Sequence, residues 1–190
     1  MEQHENEGTP DGRILRPLDR LAQFPGPIAV AHESGSAGRV ASLAGDVVND
    51  EPWALEATYH ESGQPCLAVR TVRSPQGMNP RGLPVENVSI QILNFLNRAN
   101  RSQGPGLTAP SKESSRIEFD QVRIAVDRAP VQEVELPIDG AVVRGTRTDA
   151  LDAAVVELNW HGQAVFITGR PSALEAIALR TATPADVDHL

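Results

Sequence analysis

The residues whose types could do chemistry are few, and three of them are histidines at turn-like positions. His32 and His60 each open the tetrapeptide His-Glu-Ser-Gly, at 32–35 and 60–63, and His161 stands before Gly162. Each follows an apolar, strand-like run. If those turns share one end of a sheet, His32, His60 and His161 together with Glu33 or Glu61 offer nitrogen and oxygen ligands to zinc or another divalent ion. Nothing in the spacing demands a metal, because the chain has no His-Glu-x-x-His, no tight His-x-His and a single cysteine. No cofactor is therefore expected, and the three histidines stand as a secondary metal-ligand candidate. They also supply a rival function, a small hydrolase or metal-dependent enzyme with His60 or His161 as general base, since imidazole titrates near neutrality.

Other nucleophile and phosphate signatures are incomplete. Cys66 lies inside the run CLAVRTV, where a thiol behaves as a small buried hydrophobe. Ser34 and Ser36 occur in Ser-Gly-Ser-Ala-Gly, which is not the G-x-S-x-G elbow. Gly35 and Gly38 lack both the lysine of a P-loop and the dinucleotide pattern. Glu133 and Glu135 alternate on one strand face, as solvent-facing charges do.

Charge is more informative. The chain of 190 residues has 25 acids against 17 bases, a net charge of −8, and the imbalance is uneven. Residues 1–61 hold 11 acids and four bases, 62–101 one acid and five bases, and the remainder 13 acids and eight bases. The positive block contains Arg70, Arg73, Arg81, Arg98 and Arg101. Beside it, a helix expected near 85–101 has a polar side of Asn87, Ser89, Gln91, Asn94, Asn97 and Asn100, where a solvated face normally uses charged residues. Arg70, Arg73, Asn94, Arg98 and Arg101 thus form the candidate binding surface. Nucleic acid is an unlikely partner, since five arginines in an acidic chain are not a basic footprint and no aromatic residues interleave them. The expected partner is a protein, self or other. The leading function is a non-catalytic binding or accessory protein acting through a protein–protein surface, inhibitor- or immunity-like in kind.

The elements that position these residues read as α+β. Hydrophobic content of 40% with only 4% aromatics asks for a core of Val, Leu, Ile and Ala. No stretch approaches the roughly 18 apolar residues of a membrane span, and the start MEQHENEGTPDG lacks the parts of a signal peptide. The expected setting is the cytoplasm, and a bacterial source goes with the inhibitor- or immunity-like reading; the arginine-rich, lysine-poor base usage reflects a GC-rich genome. Residues 1–12 read as a disordered tail, 13–101 as an α+β first half, 102–115 as a linker or long loop, and 116–190 as a β-rich second half, with a single compact unit overall. Hairpins are expected across Glu61 to Pro65 and at His161-Gly162, with a turn at Pro137-Ile138-Asp139-Gly140. Alternation of Ile117 and Phe119, then of Val122, Ile124 and Val126, predicts strands interrupted by a bulge. A short helix from Pro171 and a last strand close the chain.

The fold class is thus an antiparallel, hairpin-rich sheet with one main helix at about 85–101 and one or two short ones. Two similar β-hairpin/helix halves are an added expectation. It rests on Thr58-Tyr59-His60-Glu61-Ser62-Gly63-Gln64 and Asn159-Trp160-His161-Gly162-Gln163, which both place aromatic-His and then Gly-Gln between apolar runs.

Overall fold

Three X-Gly dipeptides set the strand pairing. In the computed structural model, which describes residues 16–32, 38–48, 51–74, 87–101 and 112–190, Ser62-Gly63, Asp139-Gly140 and His161-Gly162 all have positive φ at both positions. Two-residue turns of this kind match the twist of the strands they join. They connect β3 (Glu51–Glu61) to β4 (Gln64–Val72), β5 (Val131–Ile138) to β6 (Ala141–Ala150), and β7 (Ala153–Trp160) to β8 (Gln163–Gly169). The expected hairpins at Glu61–Pro65 and His161-Gly162 are therefore present. A further tight turn, Leu151-Asp152, joins β6 to β7 and holds the non-glycine Leu151 at φ 55°.

The strands form one nine-stranded, curled sheet. With β1 (Ala29–Ala31), β2 (Val40–Val48) and β9 (Leu179–Thr181), its order is β1-β9-β5-β6-β7-β8-β4-β3-β2. All pairs are antiparallel except β5 with β9, which meet in parallel at Ile138 and Leu179. The meanders β2-β3-β4 and β6-β7-β8 join at a β4–β8 seam, where Leu67 faces Gly169 and Val72 faces Ala164. Both halves of the chain thus build the same sheet. Because the seam is antiparallel, the turns at 62–63 and 161–162 lie at its opposite ends.

Two helices of similar weight cover the outer face. The helix α2 (Val88–Arg101) is capped by Asn87, whose Oδ1 accepts from the Ile90 N–H at 3.0 Å. Its buried stripe includes Ile92 and Phe95, with Val88 and Leu96 packed beside them. The second, α3 (Lys112–Arg128), corrects the sequence reading: residues 117–126 are helical, not two strands, and residues 112–115 of the expected linker are its first turn. The spacing Val122, Ala125, Val126, Ala129 places one apolar stripe against the sheet, while Ile124, counted in the strand alternation, is 44% exposed. Pro130 follows the last turn. A short helix α1 (Pro17–Gln23), which the sequence reading did not include, has Pro17 at its first position. After β8 the chain makes a 3₁₀ turn, Pro171–Leu174, before β9. The tail 1–12, Arg81 and residues 102–111 of the expected linker lie outside the described residues.

Two layers of core result. On the outer side, α2 and α3 bury Trp53, Ala54, Val72, Ala153, Val155 and Phe166. On the inner side, Tyr59, Leu67, Val69, Val156, Leu158, Val165 and Ile167 pack under β1, β9 and Val187 of the segment after β9. Full burial of each such Val, Leu, Ile or Phe contributes about 1.5–3 kcal/mol. The curl brings β1 over β3 and β4, where side chains satisfy its free edge: the Ala29 N–H donates to Thr71 Oγ1 at 3.1 Å and the Ala31 N–H to the Tyr59 hydroxyl at 2.8 Å. At the other edge, the Leu43 carbonyl of β2 accepts from Arg20 Nη1 at 2.9 Å, and His189 Nε2 bonds the Val40 carbonyl at 2.8 Å. No helix among the described residues is long and apolar enough to cross a membrane.

Candidate functional site

The sheet separates the turn histidines. His60 lies exposed near the 62–63 turn, and His161 is exposed within the turn at the far end of the seam, its ring 4.9 Å from that of Trp160. About nine residues of strand at ~3.3 Å each keep the two roughly 30 Å apart. His32 follows β1 and donates its backbone N–H to the Ala178 carbonyl at 2.8 Å. The three therefore do not converge as a set. Among the described residues, no group of three His, Cys, Asp or Glu side chains is placed to hold a metal ion.

The arginine block is partly turned inward. In the β3–β4 register Glu56 faces Arg70 directly, and both point to the outer face that α2 covers. Arg98 of α2 reaches down to Glu56, which is 3% exposed, and to Thr58 Oγ1 at 3.5 Å. Arg70 pairs with Asp46 and stacks over the Trp53 ring at 5.7 Å. Arg73 ends the hairpin, its N–H bonding the Trp53 carbonyl at 2.8 Å, while Asn94 is exposed on α2 and Arg101 is the last residue of that helix. Arg70 and Arg98 thus serve the fold as ion-pair partners. The readable signal was Glu56 itself, one charge in the apolar run WALEATY, because a buried carboxylate requires a cation. On the helix's polar side Ser89 and Gln91 are buried, whereas Asn94 and Asn100 face water.

A cleft that the sequence did not nominate opens where β1, the start of β2 and the C-terminal segment meet. Its volume is about 380 Å³, and its wall includes Ala31, Arg39, Tyr59, Arg180, Asp188 and His189. Asp186, also in the wall, is 8% exposed. Burial alone would push its carboxyl up, but Arg180 grips it through both terminal nitrogens, and the Thr183 N–H and hydroxyl donate at 2.7 and 3.0 Å. Together these hold it below its usual range. Thr183 and Asp186 form a capping box on the 3₁₀ turn Pro184–Asp186. The Thr-x-x-Asp spacing was legible in sequence; its meeting with Tyr59, more than a hundred residues away, was not. Burial also pushes the Tyr59 phenol far up, so it stays protonated.

A third region is the outer face of β5 and β6. Val131 and Val142 are 65% and 66% exposed, and Glu133, Glu135, Arg144 and Thr146 surround a shallow hollow of about 590 Å³. Glu133 and Glu135 are solvent-facing, as their alternation implies. In the adjacent strand Glu157 stands opposite Thr146 and Phe166, and loss of water there pushes its carboxyl up. Asp139, in the turn at the end of this hairpin, accepts from the Thr181 hydroxyl at 2.7 Å and from the Thr181 N–H at 2.9 Å, which hold its carboxyl down. No family model, no curated protein and no solved structure matches the chain.

Proposed function

We propose that the protein is a non-catalytic binding or accessory protein acting on a protein partner through a surface, inhibitor- or immunity-like in kind. The observation that carries this reading is the open outer face of β5–β6: two valines about two-thirds exposed beside the carboxylates of Glu133, Glu135 and, one strand further, Glu157. Arg144 pairs with Glu135, so the charge left over is acidic. Val131 and Val142 lie at opposite ends of the hairpin with the glutamates between them, so a partner that fits presents basic side chains flanked by apolar ones. The arginine block is a weaker site for this role, because Arg70 and Arg98 are engaged within the chain. The enzyme reading, a hydrolase or metal-dependent enzyme built on the turn histidines, has less support, because His60 and His161 stand at opposite ends of the seam.

Three further readings accompany this proposal. A diverged duplication is favoured by the two meanders that meet at β4–β8, each with a Gly-Gln step leaving its last turn; against full repetition, β4 leads to α2 whereas β8 leads only to a 3₁₀ turn. A single compact unit is favoured by the shared sheet. A cytoplasmic setting is favoured by the lone buried thiol, Cys66, and a bacterial one goes with the inhibitor- or immunity-like reading.

The test is site-specific photo-crosslinking in native extract, with the crosslinker at Val142 and, as control, at Ser42 on the far edge of the sheet. A discrete adduct with a basic protein is expected only from Val142, and Glu133→Arg with Glu135→Arg should abolish it. The same adducts from both positions, or indifference to charge reversal, remove this face as the binding surface.

A further inference from the structure

The cleft between β1, β2 and the C-terminal segment contains the Tyr59 hydroxyl, whose oxygen is used by the fold and whose proton goes to no described residue. Tyr59 is 1% exposed, and its hydroxyl oxygen accepts the Ala31 N–H at 2.8 Å. The hydroxyl proton has no acceptor among the described residues. Ala31 and Tyr59 both line the cleft, so the phenol's polar end sits at its wall. A buried donor without a partner is uncommon, since the desolvation of such a group goes uncompensated.

The charges around it are sorted. Asp186 is neutralised by Arg180 and filled by the two bonds from Thr183, which makes this pair a fixed part of the wall. Arg39 is exposed at the rim, and His189 adds a ring beside it. The remaining carboxylate, Asp188, is 63% exposed at its side chain and largely solvated. Arg39 and the Tyr59 hydroxyl are thus the donors left to a ligand, since His189 Nε2 is taken by the Val40 carbonyl, within a volume of about 380 Å³, toward the small end of ligand pockets.

We propose that this cleft binds a small organic carboxylate, whose oxygens are taken by Arg39 and by the Tyr59 hydroxyl above the fixed Arg180–Asp186 pair. The site shares no residue with the β5–β6 face and stands or falls independently of it. Arginine supplies the charge-assisted bond and tyrosine the directional one.

The experiment is a protein-observed NMR titration of the full chain with acetate, succinate and glutamate, with acetamide as neutral control, at constant ionic strength in chloride. At least one acid should shift the Gly38, Ala185 and His189 amides saturably, while acetamide should not. Arg39→Gln should weaken that binding about tenfold or more, as loss of a charged hydrogen bond implies. Asp188→Asn should tighten it, because a like charge is removed. Tyr59→Phe should also weaken it; if losing the acceptor for Ala31 unfolds that variant, the two rim variants still decide. No saturable shift with any of the three acids, an equal response to acetamide, unchanged affinity in Arg39→Gln, or weaker binding in Asp188→Asn would each overturn the proposal.

Discussion

Two arginine–glutamate pairs lie on the same outer face of the same sheet, and they differ in almost everything except chemistry. Arg98 and Glu56 meet beneath α2, with side chains 35% and 3% exposed; Arg144 and Glu135 meet on the uncovered hairpin, 88% and 60% exposed. Under the helix, the carboxylate has no water to fall back on, so the pair is required for the helix to sit where it does. On the open hairpin either residue is solvated without its partner. An ion pair is thus read by what covers it: the first belongs to the fold, the second is free to belong to an interface.

The largest expected contrast uses an apolar residue of the covered side. Phe166→Ala removes a fully buried ring from beneath α2 and should cost about 3–5 kcal/mol in urea unfolding. Next comes Arg98→Ala, which strands Glu56. Breaking a buried pair costs about 3–5 kcal/mol, and the partial exposure of Arg98 lowers the expectation to about 2–4 kcal/mol. A loss under 1 kcal/mol would show that water reaches Glu56 and would dissolve the contrast.

The third prediction concerns pH. Asp186 and Asp139 both bind protons more weakly in the folded chain than in the unfolded one. Their contribution to stability is therefore complete above the unfolded carboxylate pKa of about 4, and is lost as pH falls through the lower folded values. Asp186→Asn should cost about 1–3 kcal/mol at neutral pH, as for a hydrogen bond to a charged group. It should also flatten the acid limb of the unfolding profile; an unchanged acid limb would show that other groups set it. The smallest effects belong to the open hairpin: Arg144→Ala and Val142→Ala should each change stability by less than about 1 kcal/mol. A larger loss from either would mean that this face is already packed against something.

The hairpins were legible because a local rule fixes them: an X-Gly step between two apolar runs needs only its own two residues to adopt positive φ. The helix α3 was not, because its sequence satisfies two periods at once. Val122, Ile124 and Val126 alternate as a strand would, while Val122, Ala125, Val126 and Ala129 also fit a helix. β-branched residues favour the former, and the partly filled outer face of the sheet decided for the latter. The histidine set failed for a topological reason, since the antiparallel seam sends its two turns in opposite directions. The cleft of Tyr59, Arg39, Arg180 and His189 escaped notice because its walls come from separate stretches of chain that only the curl of the sheet brings together.

The side-chain bonds along β1 and β2 have a consequence for how this protein behaves in a crowd. A sheet that ends in open strands offers a template on which foreign strands can crystallise, one after another. Here Thr71 and Tyr59 occupy the amides of one rim, and Arg20 and His189 occupy carbonyls of the other. An incoming strand must first displace them, so fibre growth from either rim begins with an uphill exchange.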